Sequence, residues 1–146
     1  MAVIRSTVLI DRPTEEVFDF LSDLRNERKW NPGVESMEKV SDGPIALGTR
    51  YLAKWKQSKM VEVECVAFDR PVSWSYHNGG PVEVTFSARL TEENGATRLN
   101  VDFDAKPHGF FVLVFPVFLL AMKRQEKANM ANLKSALEKR VDHAES

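Results

Sequence analysis

One cysteine, Cys65, stands in a chain of 146 residues. That excludes an internal disulfide, and no cysteine–histidine cluster has the spacing of a zinc site. The sequence also lacks a glycine-rich phosphate loop and a His-Glu-x-x-His motif, so neither a metal nor a cofactor is expected. Charge of one sign is missing too. Twenty basic and 21 acidic residues leave a net charge of -1, which argues against a nucleic-acid binder and against a polybasic membrane-surface protein. There is no long hydrophobic run. Phe110 to Met122 is very apolar, but its roughly 13 residues fall short of the roughly 20 that span a bilayer. Stable membrane insertion is therefore not expected, and a helix dipping into a membrane is the weaker reading of that run. The start, Met1-Ala2-Val3-Ile4-Arg5, has no signal-peptide pattern. These absences lead to the expectation of one soluble cytoplasmic domain over residues 1–146, monomeric or homodimeric. A chain this long buries roughly 70% of its unfolded surface and needs no staple.

What is present is alternation. Ala2 to Ile10 reads as a strand, broken by Asp11-Arg12-Pro13-Thr14. Glu15 and Glu16 suit the positive end of a helix dipole, and Val17, Phe20, Leu21 and Leu24 follow at helical spacing. A second short helix or turn is expected over Asn26 to Trp30, ended by Pro32 and Gly33. Val34 to Val40 is a weak strand, and Ser41 to Pro44 a turn. From Thr49 the period-2 pattern is clear. Tyr51, Ala53 and Trp55 share one face, followed on later strands by Val61, Val63, Cys65 and Ala67, by Trp74 and Tyr76, by Val82, Val84, Phe86, Ala88 and Leu90, and by Leu99, Val101, Phe103 and Ala105. Charged and hydroxyl residues oppose them. Such a pattern means an antiparallel sheet with one wet and one buried face. Glu93-Asn94-Gly95 is a hairpin turn. A long helix, starting near Phe110 or Pro116 and reaching about Arg140, closes the chain.

That order closely resembles the helix-grip fold of the START-like (SRPBCC) superfamily, and within it the polyketide cyclase/dehydrase-like group, which includes many small bacterial proteins. The residues that carry the resemblance are the strand–Pro–helix opening Ile10-Asp11-Arg12-Pro13-Thr14-Glu15-Glu16-Val17-Phe18-Asp19-Phe20-Leu21-Ser22-Asp23, then Trp30-Asn31-Pro32, Leu47-Gly48-Thr49-Arg50, Phe68-Asp69-Arg70-Pro71 and Leu133-Lys134-Ser135-Ala136-Leu137-Glu138. The resemblance implies an α+β fold: a curved antiparallel sheet of about six or seven strands wrapped around a long C-terminal helix, with two short helices after the first strand. It also implies a small hydrophobic, lipid-like or polyketide-like molecule held between sheet and helix by a carrier or sensor. The alternative is a cyclase or dehydratase using acid/base groups in the pocket. A shared fold does not transfer either function.

The candidate site residues are those of the apolar sheet face and the helix that covers it. Tyr51, Trp55, Trp74, Tyr76, Phe86 and Phe103 form the sheet side, and four of these six carry a polar tip that needs a hydrogen-bond partner when buried. They read either as pocket lining or as plain core. On the final helix, Phe111, Phe115, Phe118, Leu119, Met122, Met130, Leu133, Ala136 and Leu137 fall on one stripe; Phe115 and Met122 are the ligand-contact candidates. Glu126 falls near the middle of that stripe and Asn129 at its edge. A carboxylate there is costly unless partnered. It reads as a polar anchor or acid/base group with a raised pKa, or else as half of an ion pair with an arginine. Trp30 lies near the expected pocket mouth, as a contact or as a plug fixing the short helices. His77 belongs to the polar sheet face, His108 to the strand–helix junction and His143 to the tail. Glu62, Glu64, Asp102 and Asp104 read as solvated charges, and Cys65 as inert packing. No catalytic constellation emerges, and no large apolar patch marks the outer sheet face as a protein-binding surface.

Overall fold

A computed structural model describes residues 2–56, 59–80, 82–109 and 111–145. Strand β1 (Ala2–Ile10) is followed by helix α1 (Thr14–Ser22) and a 3-10 helix (Leu24–Lys29). Six strands come next: β2 (Val34–Lys39), β3 (Arg50–Trp55), β4 (Val61–Asp69), β5 (Ser73–Asn78), β6 (Val82–Glu93) and β7 (Ala96–Pro107). Helix α2 (Phe111–Glu145) completes the chain. All pairings are antiparallel, in the spatial order β1-β7-β6-β5-β4-β3-β2. The expected helix over Asn26 to Trp30 is a 3-10 helix beginning two residues earlier, and α2 runs past Arg140 to Glu145. Pro116 does not open α2; it lies inside it.

The register follows from side-chain alternation. Phe86 stands opposite Tyr76 on one side and Phe103 on the other, so aromatic residues pair across three strands on one face. Asn94 (φ 52°) and Gly95 (φ 84°) supply the two left-handed residues of the β6–β7 hairpin. A bulge between Cys65 and Ala67 turns β4, so Ala67, expected on the inner face, is exposed.

Helix α1 opens without a side-chain cap at Pro13. It is tied down instead by Thr97, fully buried, whose Oγ1 donates to the Arg12 carbonyl at 2.8 Å and meets Thr14 Oγ1 at 3.1 Å. The last turns of α2 are fixed to β1 by polar contacts. Lys134 Nζ donates to the Leu9 carbonyl at 2.7 Å and the Asp11 N–H donates to Glu138 Oε2 at 2.9 Å. Between these ties lies one apolar core: Ile10, Val17, Phe18, Phe20 and Leu21 from the N-terminal segment, Leu90, Leu99 and Val101 from the sheet, and Leu133 and Leu137 from α2.

Candidate functional site

The inner sheet face divides into a sealed end and an open end. Tyr51, Trp74 and Tyr76 are at the sealed end, 0%, 1% and 3% exposed. Tyr76 OH donates to the Ser22 carbonyl at 2.6 Å, and Tyr51 OH reaches Asp23 Oδ1 at 3.5 Å. The two phenol rings meet edge to face at 5.8 Å. Their polar tips thus join β3 and β5 to the junction of α1 and the 3-10 helix. Burial pushes the Tyr51 hydroxyl up to about 12 and that of Tyr76 higher still, so both are neutral donors at physiological pH. Trp74 packs edge to face on Phe18 at 5.1 Å, and its Nε1–H is buried without a partner.

The open end holds Trp55, Val61, Val82, Val84, Phe86 and Phe103, all half-buried. Phe86 and Phe103 meet edge to face at 6.4 Å. Phe115 and Met122 are half-buried on α2. The side chains of Phe111 and Phe118, expected on the same stripe, lie outside the described residues, as does that of His143.

Where α2 reaches the β2–β3 side it brings two carboxylates together. Glu27, on the 3-10 helix, accepts from Trp55 Nε1 at 2.8 Å and from Asn31 Nδ2 at 3.0 Å, both on Oε2. Asn31 is itself buried, and its Oδ1 accepts from the Gly33 N–H at 2.9 Å. The Gln125 side chain of α2 lies over Gly33, its Nε2 2.6 Å from where a Cβ would stand. Within reach of the Glu27 charge, Glu126 presents Oε1 buried and without a hydrogen-bond partner. Burial raises the pKa of both groups. For Glu27 the donors from Trp55 and Asn31 act the other way, whereas the Glu27 charge lifts Glu126 further, to about 7. The donors to Glu27 favour its ionised form, whereas Glu126 has no group among the described residues to hold its charge. No cation neutralises either carboxylate among the described residues, so the ion pair with arginine considered for Glu126 is not formed there.

Glu27 is the residue that sequence reasoning missed. The one local trace of it was the spacing Glu27–Asn31, four residues apart in a helical turn, which lets the Asn31 amide reach the Glu27 carboxylate. Trp30 goes elsewhere. It lines an open cleft of about 410 Å³ with Arg28, Lys29, Pro32 and residues 132, 135 and 136 of α2. His77 and His108 both reach Glu83 on the outer face, at 2.8 and 3.2 Å, and these contacts hold the Glu83 carboxyl below its ordinary range. Cys65 is buried, and burial pushes its thiol up, as an inert thiol requires. Glu62, Glu64 and Asp102 are exposed as expected, but Asp104 is half-buried and its Oδ1 lacks a partner. No group of three His, Cys, Asp or Glu among the described residues could hold a metal ion.

The sequence profile of a family described as polyketide cyclase / dehydrase and lipid transport matches residues 1–138. The chain belongs to this family. Solved structures agree on the fold. TTHA0849 from Thermus thermophilus superposes with a TM-score of 0.72 at 19% identity, covering 93% of this chain and 97% of that one. The di-domain ARO/CYC BexL from the BE-7585A biosynthetic pathway superposes with a TM-score of 0.75 at 16% identity, covering 94% of this chain but 47% of that one. Ara h 8.0201 gives 0.69 at 16%, covering 93% and 97%. At such identities the likeness shows the START-like fold alone. No curated protein matches the chain by sequence. Within this family's ligand-binding fold, Glu126 leaves a buried carboxylate oxygen unsatisfied and the open end leaves its aromatic residues half-buried.

Proposed function

We propose that this family member binds a small apolar, lipid-like or polyketide-like molecule in the groove between the open end of the sheet and α2, as a carrier or sensor. Trp55, Phe86 and Phe103 form one wall, Phe115 and Met122 the other, and Glu126 is the polar anchor at the inner end. The observation that carries this reading is the buried, unpartnered Oε1 of Glu126, within reach of the Glu27 carboxylate that Trp55 Nε1 donates to. A ligand hydroxyl or N–H donated to it replaces the water that burial has removed. Tyr51, Trp74 and Tyr76 support the groove from beneath, with their tips already committed to the backbone and Asp23 or sealed in the core.

The probe N-phenyl-1-naphthylamine tests this, being an apolar aromatic with one N–H donor. Its fluorescence is expected to rise on titration with the protein. Phe86→Ala with Phe103→Ala should weaken binding by about tenfold, the cost of lost apolar contact. Glu126→Leu should weaken this probe more than 1-phenylnaphthalene, which has no donor. Unchanged affinity in the double alanine variant refutes the groove, and equal losses for the two probes refute the anchor.

A second reading is favoured by the Glu126 pKa of about 7 beside Glu27. A carboxyl poised near neutrality in an apolar site can take a proton from carbon next to a carbonyl, as cyclase chemistry on a poly-β-ketone requires. Benzoylacetone in deuterated water is the test. Glu126 would remove a CH₂ proton, the enolate would be re-protonated with deuterium, and exchange would accelerate with an inflection near neutral pH. Exchange equal to that of buffer alone eliminates this reading.

A further inference from the structure

Helix α2 has an outer side as well as the side facing the sheet. At about 100° per residue, Val112, Leu113, Pro116, Val117 and Leu120 share an outer sector of about 140°. The four non-proline residues are 55%, 79%, 76% and 54% exposed. Phe115, Leu119, Met122, Glu126, Asn129, Leu133 and Leu137 occupy the opposite sector, and all are half-buried or buried. Lys123, Arg124 and Lys127, all exposed, continue the outer sector directly after the apolar stretch. Beside them, between β1 and α2, is an open cleft of about 710 Å³ lined by Arg5, Lys123, Lys127 and Lys134 with Ser6, Thr7 and four other residues, none of them acidic. Lys134 is engaged by Glu138 and Arg5 reaches Asp102 at 3.4 Å. Lys123 and Lys127 have no ion pair among the described residues. A net charge of -1 over the chain hides this local excess of positive charge.

We propose that the outer face of α2 over residues 112–120, together with Lys123, Arg124, Lys127 and the β1–α2 cleft, docks the protein onto a bilayer surface carrying anionic lipid headgroups. The apolar stretch rises about 12 Å, within the depth of one hydrocarbon leaflet of about 15 Å, and the lysines stand where their stems can extend to the headgroups. None of the described helices is long and apolar enough to cross a membrane, so the contact is peripheral. A second copy of the chain fits this face less well. The outer sector over residues 112–127 carries no acidic residue to neutralise Lys123, Arg124 and Lys127 of such a copy. The face points away from the groove-lining stripe, and the docking does not depend on what the groove holds.

The experiment is co-sedimentation of the full-length protein with vesicles of phosphatidylcholine alone and of phosphatidylcholine with phosphatidylglycerol, at low and high salt. Binding is expected only with phosphatidylglycerol and should weaken as salt rises. Leu113→Asp with Val117→Asp should lose at least tenfold in partitioning. Lys123→Glu with Lys127→Glu, which leaves the apolar face intact, should lose about fivefold for each lysine removed. Both pairs lie on the outer surface, and an unchanged melting temperature verifies their folding. Absence of binding to the mixed vesicles, or wild-type binding by both variants, overturns the proposal. So does a dimer in sedimentation equilibrium that Leu113→Asp with Val117→Asp dissociates, because that assigns the face to a second copy. The groove probe is titrated without vesicles, so its failure and the failure of docking are separate results.

Discussion

Replacing Glu126 by Gln isolates the energetic cost of the buried carboxylate. Its ordinary pKa of 4.5 is raised to about 7 in the folded chain, first by loss of water and then by the charge on Glu27. Between these two values the folded protein keeps a proton that the unfolded chain releases. Stability contributed by this group is therefore intact below about pH 4.5, falls as pH rises, and is fully lost above about pH 7. At about 1.4 kcal/mol per pH unit, the ceiling is about 3 kcal/mol, and partial rehydration of a half-buried side chain reduces it. Gln has nearly the same shape and no charge. Urea unfolding at about pH 4 should find the two proteins alike, and at about pH 8 the variant should be more stable by about 1–3 kcal/mol. A variant whose stability tracks the wild type at both pH values, or is lower at pH 8, refutes the picture of an uncompensated carboxylate pair.

Trp55→Phe removes one of the two donors to Glu27 and is expected to cost about 1–3 kcal/mol near neutral pH, with a smaller loss in acid, where Glu27 binds a proton; urea titrations at both pH values measure it. Tyr76→Phe leaves the Ser22 carbonyl unpaired in the core and should cost about 1–2 kcal/mol with no pH dependence below the tyrosine range. Leu133→Ala should cost about 2–5 kcal/mol, since Leu133 is 1% exposed, while Leu120→Ala on the outer face of the same helix should stay within about 0.5 kcal/mol. Equal losses at the two leucines would contradict the division of α2 into a packed and an uncovered part.

The sheet was legible because alternation is a two-residue signal repeated over five strands, and because Asn94-Gly95 fixes its own turn. The direction of the α2 stripe was legible for the same reason. Depth was not. Tyr76 and Phe86 face each other at inward positions of neighbouring strands, yet Tyr76 is 3% exposed and Phe86 half-buried. The difference is set by where α1 and the last turns of α2 end, which no local pattern records. Glu126 stood out because a charge in an apolar stripe breaks a rule. Glu27 broke none. Leu24–Lys29 has charges on most positions, and only the fold shows that one of them turns inward to meet Trp55 and Asn31.

The unequal cover along α2 follows from simple lengths. Its 35 residues extend about 52 Å at 1.5 Å each. A 12-residue strand such as β7 extends about 40 Å, and the 9-residue β1 that α2 follows, from the cleft at Arg5 to the ties at Leu9 and Asp11, is shorter still. Some of the helix must therefore lie beyond full cover. In an ordinary overhang the uncovered turns are polar and the packed turns apolar. Here the distribution is reversed on the outer side: Val112, Leu113, Val117 and Leu120 stand where the fold gives no cover, while Lys123, Arg124 and Lys127 stand toward the packed end. Folding stability gains nothing from apolar residues in water, and the proposed bilayer contact is what would give them cover. The same incomplete cover is seen on the sheet, where Phe86 and Phe103 are half-buried rather than sealed.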